Sequence, residues 1–117
     1  MTHYVDGFVV PVPKKNIKEY KKVAAMCGKI WLEYGALEYT ECMGEDVQKG
    51  KHTSFPLSVK LKPTEVVFFS WIVYKSKADR KRIVAKVMKD PRLQAMDTGI
   101  FDGKRMIYGG FKPVIVL

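Results

Sequence analysis

Five side chains stand where their type and spacing could do chemistry: Asp6, Trp71, Arg80, Arg105 and Tyr108. Asp6 interrupts an apolar alternation, because it falls on the same strand face as Tyr4, Phe8 and Val10. Arg80 lies three, four and seven residues before Ile83, Val84 and Val87, so it projects among the apolar positions of a helix. An arginine placed there seeks a carboxylate or a bound anion. Asp6 and Arg105 fall on runs expected to be neighbouring strands, so the two are expected to meet. In a catalytic reading, Asp6 taken out of water acts as a proton acceptor. Arg105 or Arg80 then holds an anionic or enolic oxygen, and Trp71 and Tyr108 line an apolar pocket. The plainer reading makes Asp6 and an arginine a buried structural pair.

Other chemistries find little support. Cys27 sits in the middle of an apolar helix stripe, the place of a packed thiol. Cys42 follows Glu41 and has no base or cation beside it in sequence. The two cysteines form no CxxC, and His3 and His52 have no ligand spacing, so no metal site or cofactor is expected. A Gly-rich phosphate loop, a Ser-His-Asp set and HExxH are all missing. The formal charge of +9 could suit nucleic acid. However, the lysines follow the exposed faces of two expected helices, and solvated faces account for them. The third strand also lacks the basic-Gly-aromatic octamer of RNA-recognition sheets, so single-stranded RNA is the weaker alternative. No apolar run nears the roughly 18 residues that span a bilayer, and no basic-then-apolar leader is visible. A cytoplasmic protein without membrane contact is expected.

The elements that must position these residues follow from periodicity. Residues 4–12 read as a strand closed by Pro11 and Pro13. A helix is expected over 16–34, with Asn16 and Glu19 spaced as a capping box and Gly35 as its C′ residue. Ile17, Tyr20, Val23, Ala24, Cys27, Ile30 and Trp31 share one arc of it. A second strand is expected over 36–46, with Leu37, Tyr39 and Met43 on one face. A long connection, 47–63, follows, and Ser54 could cap a short turn in it. The stretch Glu65–Tyr74 is a strand apolar on both faces. Ser76, with Asp79 in the box position, caps a helix that ends near Asp90-Pro91. The last strand is expected over 104–111 and extended by 113–117, with Gly109-Gly110 marking a bulge or a close approach.

The order β-α-β-β-α-β predicts an α+β, ferredoxin-like domain over 1–117: a four-stranded antiparallel sheet with two helices on one face. The first and third strands should be central. The other face would expose an apolar aromatic patch too large for a monomer. Burying about 800 Å² there would contribute on the order of 20 kcal/mol before association costs. A homodimer through the open sheet face is the expected solution.

Several motifs sharpen this. Tyr4-Val5-Asp6-Gly7-Phe8-Val9-Val10, Glu41-Cys42, Asp46-Val47, Val67-Phe68-Phe69-Ser70-Trp71, Asp90-Pro91-Arg92 and the run from Phe101 to Phe111 resemble the YbaA-like family of small uncharacterised bacterial proteins. The resemblance runs from end to end. It implies membership of the dimeric α/β-barrel group, which holds cofactor-independent monooxygenases, small isomerases, haem-degrading enzymes and stress-response proteins. It implies a dimer and no particular reaction. The family tends to carry acidic and amide residues where Lys81 and Val84 stand here. A homodimeric small-molecule-binding protein is therefore expected, either a cofactor-independent enzyme of monooxygenase or isomerase type or, alternatively, a non-enzymatic interaction protein.

Overall fold

The two strands with apolar residues on both faces do take the centre of the sheet. The computed structural model describes residues 3–96 and 99–117. It contains β1 (Tyr4–Pro13), α1 (Ile17–Glu33), β2 (Glu38–Met43), α2 (Phe55–Ser58), β3 (Glu65–Tyr74), α3 (Lys77–Met88), α4 (Pro91–Gln94) and β4 (Ile107–Phe111). The sheet is antiparallel, in the order β2-β3-β1-β4. This is the ferredoxin-like α+β architecture.

One face of the sheet carries Val10, Val12, Phe68, Ile72 and Tyr74, buried against Tyr20, Ala24 and Ile30 of α1 and Ile83 and Val87 of α3. The helix boundaries follow local chemistry. Ser76 Oγ accepts the Asp79 N–H at 3.1 Å, and Ser54 Oγ accepts the Leu57 N–H at 3.1 Å. Gly35, at φ +117°, leaves α1 in a conformation that side chains resist. The expected capping box at Asn16 does not form. A short 3₁₀ turn over Lys14–Asn16 precedes the helix, and the Asn16 amide donates instead to the Ile100 carbonyl at 3.0 Å.

The other face is only half open. The 47–63 connection folds beneath it, so that Val59 and Leu61 pack on Val9 and Val67. Beyond that cover, Phe55, Phe69 and Trp71 form a row of ring contacts, each pair with centroids 5.6 Å apart. Phe69, Ile107 and Phe111 remain exposed. The last strand is shorter than expected. Lys104 and Arg105 belong to the turn before β4, and 112–117 leaves the sheet. Pro113 has no N–H to continue a ladder. The register through Gly109 and Gly110 is unbroken, so these glycines mark a close approach and not a bulge. A Cβ on Gly110 would stand 2.8 Å from the Tyr4 ring. No helix of the described residues is long and apolar enough to cross a membrane.

Candidate functional site

Between α1 and the sheet lies an apolar cavity of about 200 Å³. Phe8 and Val10 of β1, Ile72 of β3, Ala24 of α1, and Phe101 and Met106 ahead of β4 form much of its wall. A few polar groups converge on it, the usual composition of a small-molecule site. Their centre is Glu41. Alternation along β2 turns Tyr39, Glu41 and Met43 toward α1, so the carboxylate enters the helix-facing side of the sheet. Tyr20 donates its hydroxyl to Glu41 Oε1 at 2.8 Å, and Tyr39 donates to Oε2 at 2.9 Å. Ser70 is directly across the ladder from Glu41 and also favours its charged form.

Loss of water around Glu41 outweighs these donors, and its carboxyl is pushed above the ordinary glutamate value. Burial, with the Glu41 charge second, pushes both phenols well above the usual tyrosine range, so they stay protonated donors. Glycine at position 28 lets Tyr39 lie against α1, for a Cβ there would stand 2.7 Å from the ring. A second hollow of about 360 Å³, open to solvent and flanked by Lys21 and Lys29, shares Tyr20, Ala24, Tyr39, Glu41 and part of the α1–β2 seam with the cavity. The Tyr20–Glu41–Tyr39 set therefore stands between an outer groove and the apolar interior. Cys27 also lines the interior, with Sγ 3.2 Å from Met96 Sδ. Burial raises its thiol to about 11, which keeps it protonated and unreactive at neutral pH.

The five residues singled out by sequence go to four places. Asp6 is buried and meets Arg80: Arg80 Nε and Nη2 donate to its two oxygens at 3.1 and 2.9 Å, and the Tyr74 hydroxyl donates at 2.8 Å. Neither Asp6 nor Arg80 is among the residues that line the cavity, but Tyr74 accepts a hydrogen bond from Trp31 Nε1 at 3.1 Å, and Trp31 does line it. The pair thus orients a wall of the cavity at second hand. The expected meeting of Asp6 with Arg105 does not occur. Asp6 lies across from Gly110, whereas Arg105 precedes β4 at the other end of β1. Arg105 instead grips Glu65 and Asp102, with Nη1–Glu65 Oε1 at 2.9 Å and Nε–Asp102 Oδ2 at 2.9 Å, and donates to the Lys60 carbonyl. Its guanidinium holds the Glu65 carboxyl below the ordinary value.

Trp71 borders the cavity from β3. Its ring, however, packs on Phe69 and donates to Glu38 on the other side of the sheet. Tyr108 is 69% exposed and stacks on Phe8 at 6.1 Å. Glu41 carried the same sequence signal as Asp6, a carboxylate on the face shared with Leu37, Tyr39 and Met43. Taken along the sequence alone, it is only the neighbour of Cys42. Among the described residues no cluster of three potential metal ligands occurs.

A family described as "Protein of unknown function (DUF1428)" matches residues 3–103. The chain belongs to this family. A relative at 47% identity over 113 residues is the "Uncharacterized protein YbaA" of Escherichia coli K12; the match takes in 96% of this chain and 97% of the relative. Solved structures extend the likeness to the fold. One is SnoaB from Streptomyces nogalater, described as a cofactor-independent oxygenase: TM-score 0.59, 15% identity, 98% of this chain and 96% of that one. Another, from an uncultured marine organism, is described as a dimeric ferredoxin-like protein: TM-score 0.59, 9% identity, 100% and 98% covered. At such identities the likeness shows the fold alone.

Proposed function

We propose that this member of the family is a homodimeric small-molecule-binding protein whose ligand occupies the cavity between α1 and the sheet and exchanges a proton with Glu41. The observation that carries the proposal is a desolvated carboxylate at the mouth of an apolar cavity, held by two protonated phenols. The apolar wall suits a compact, ring-sized body, and the polar end suits one acidic O–H or C–H. Glu41 accepts that proton, its raised pKa bringing it closer to the weak acid it must deprotonate. Tyr20 or Tyr39, released from the carboxylate as it is protonated, then donates to the oxygen on which charge collects. This is chemistry that a cofactor-independent enzyme can use, and the description of SnoaB as such an oxygenase supports that extension. Asp6 and Arg80 act here through Tyr74 and Trp31, and Arg105 acts on the fold. The dimer is supported by the exposed Phe69, Ile107 and Phe111 on the open face and by the description of the marine neighbour as dimeric.

The test is fluorescence titration with N-phenyl-1-naphthylamine, an uncharged probe of three aromatic rings, on the wild-type chain and on Glu41→Gln. Saturable binding at one probe per chain, with a pH dependence that Glu41→Gln removes, is the expected result. No saturable binding, or the same pH dependence in both proteins, would overturn the proposal.

A further inference from the structure

The inner cavity holds a carboxylate and two phenols but no cation: among the described residues no lysine, arginine or histidine lines it. Two cations stand just outside. Lys21 and Lys29 flank the outer groove, eight residues apart on α1, which is about 12 Å of helix rise. Both are exposed, and among the described residues neither makes an ion pair, whereas Lys22 beside them reaches Glu19 at 3.7 Å. The groove between them is otherwise apolar. Ala24, Ala25 and Gly28 keep α1 thin there, and Leu32 and Met43, 47 and 48% exposed, border it. Glu41 is the one acid among the groove's lining residues, and both of its oxygens are taken up by phenol hydroxyls. An apolar floor with two unpaired ammonium groups on flexible stems suits an amphipathic anion.

We propose that the ligand of this site is an aryl-bearing carboxylic acid that spans both hollows, its ring in the inner cavity and its carboxylate in the outer groove on Lys21 and Lys29. The inference rests on the reading of the cavity as a ligand site and adds the class of the ligand and the direction in which it lies. The two hollows share Tyr20, Ala24, Tyr39 and Glu41, so a molecule with a ring at one end and an acid at the other passes Glu41 between them. The atom that loses a proton then stands between ring and acid group. Charge fixes the direction. A carboxylate turned into the cavity would lose its water, meet no cation and lie against Glu41. Turned outward it stays partly hydrated and gains two ammonium groups. Lys18 and Lys22 on the exposed side of α1 add to the field that draws an anion to this groove.

The experiment pairs two fluorescent probes with one skeleton: N-phenyl-1-naphthylamine and its sulfonated form, 8-anilino-1-naphthalenesulfonate, whose sulfonate stands in for the carboxylate. Both are titrated into wild type, into Lys21→Gln with Lys29→Gln, and into Lys77→Gln with Lys86→Gln. The last pair removes the same charge from α3, from residues that line neither hollow. One sulfonated probe is expected to bind per chain. Its affinity should fall about 10-fold in the Lys21, Lys29 variant and no more than about 2-fold in the α3 variant, while the uncharged probe changes less than about 2-fold in both. The 10-fold loss should shrink at high salt. If the uncharged probe saturates but the sulfonated one is indifferent to Lys21 and Lys29, or is weakened equally by the α3 variant, the acid-binding groove is overturned and the cavity reading stands. If the uncharged probe fails to saturate, the cavity reading falls and takes this inference with it.

Discussion

Replacing Glu41 by alanine takes the acceptor from two phenols at once. Tyr20 is buried and Tyr39 half-buried, and their hydroxyls end at Glu41 Oε1 and Oε2. Each hydroxyl left unpaired costs about 1–3 kcal/mol, and relief of the desolvated charge offsets part of the sum, so Glu41→Ala should lose about 2–4 kcal/mol. Glu41→Gln should differ from wild type by no more than about 1 kcal/mol at pH 7, since its amide can accept from one phenol and donate to the other. The pH dependence separates charge from packing. Burial raises the Glu41 pKa in the folded chain. The stability this contributes is fully present below the unfolded-state value and is lost as pH rises through the folded one. Wild type should therefore fall relative to Glu41→Gln as pH climbs above the ordinary glutamate range. Urea denaturation at fixed protein concentration, repeated across pH 4–8, measures both effects. Glu41→Ala as stable as wild type, or a wild-type-minus-Gln difference flat with pH, would refute the reasoning.

Asp6→Ala strands the Arg80 guanidinium and the Tyr74 hydroxyl and should cost about 3–5 kcal/mol in urea denaturation, with Trp31 fluorescence altered; a stable Asp6→Ala chain would remove it from the account. Gly28→Ala gains helix propensity of about 1 kcal/mol but drives a Cβ to 2.7 Å from Tyr39, so probe binding should weaken even if the melting temperature barely moves. The Arg105 guanidinium holds the Glu65 carboxyl below its ordinary value, so that stability is present above the unfolded-state value and is lost as pH falls through the folded one. Arg105→Met should flatten this acid limb of the urea midpoint against pH and lower the midpoint at pH 7.

The architecture was legible because its signals are periodic. The α1 stripe, the two-faced β3 and the caps at Ser54, Ser76 and Gly35 each state their own environment. The site was legible only in part. Arg80 among apolar positions announces a carboxylate, but the choice between Asp6 and other acids depends on register, and the alternation that puts Arg105 on a strand starts earlier than the strand itself, which begins only at Ile107. Glu41 was visible as a carboxylate on an apolar face, yet its meaning depends on Tyr20, 21 residues away, reaching the same spot from α1. The role of 47–63 as a cover over Val9 and Val67 depends on tertiary packing that no local pattern encodes.

The most direct test of the cavity as a ligand site is a methyl NMR titration of methionine-labelled protein with N-phenyl-1-naphthylamine. Met88 and Met106 line the cavity and Met26 does not, although Met88 is as exposed to solvent as Met26. The account predicts saturable shifts of Met88 and Met106 with Met26 unmoved. Shifts spread equally over all three, or none at Met88 and Met106, would contradict it.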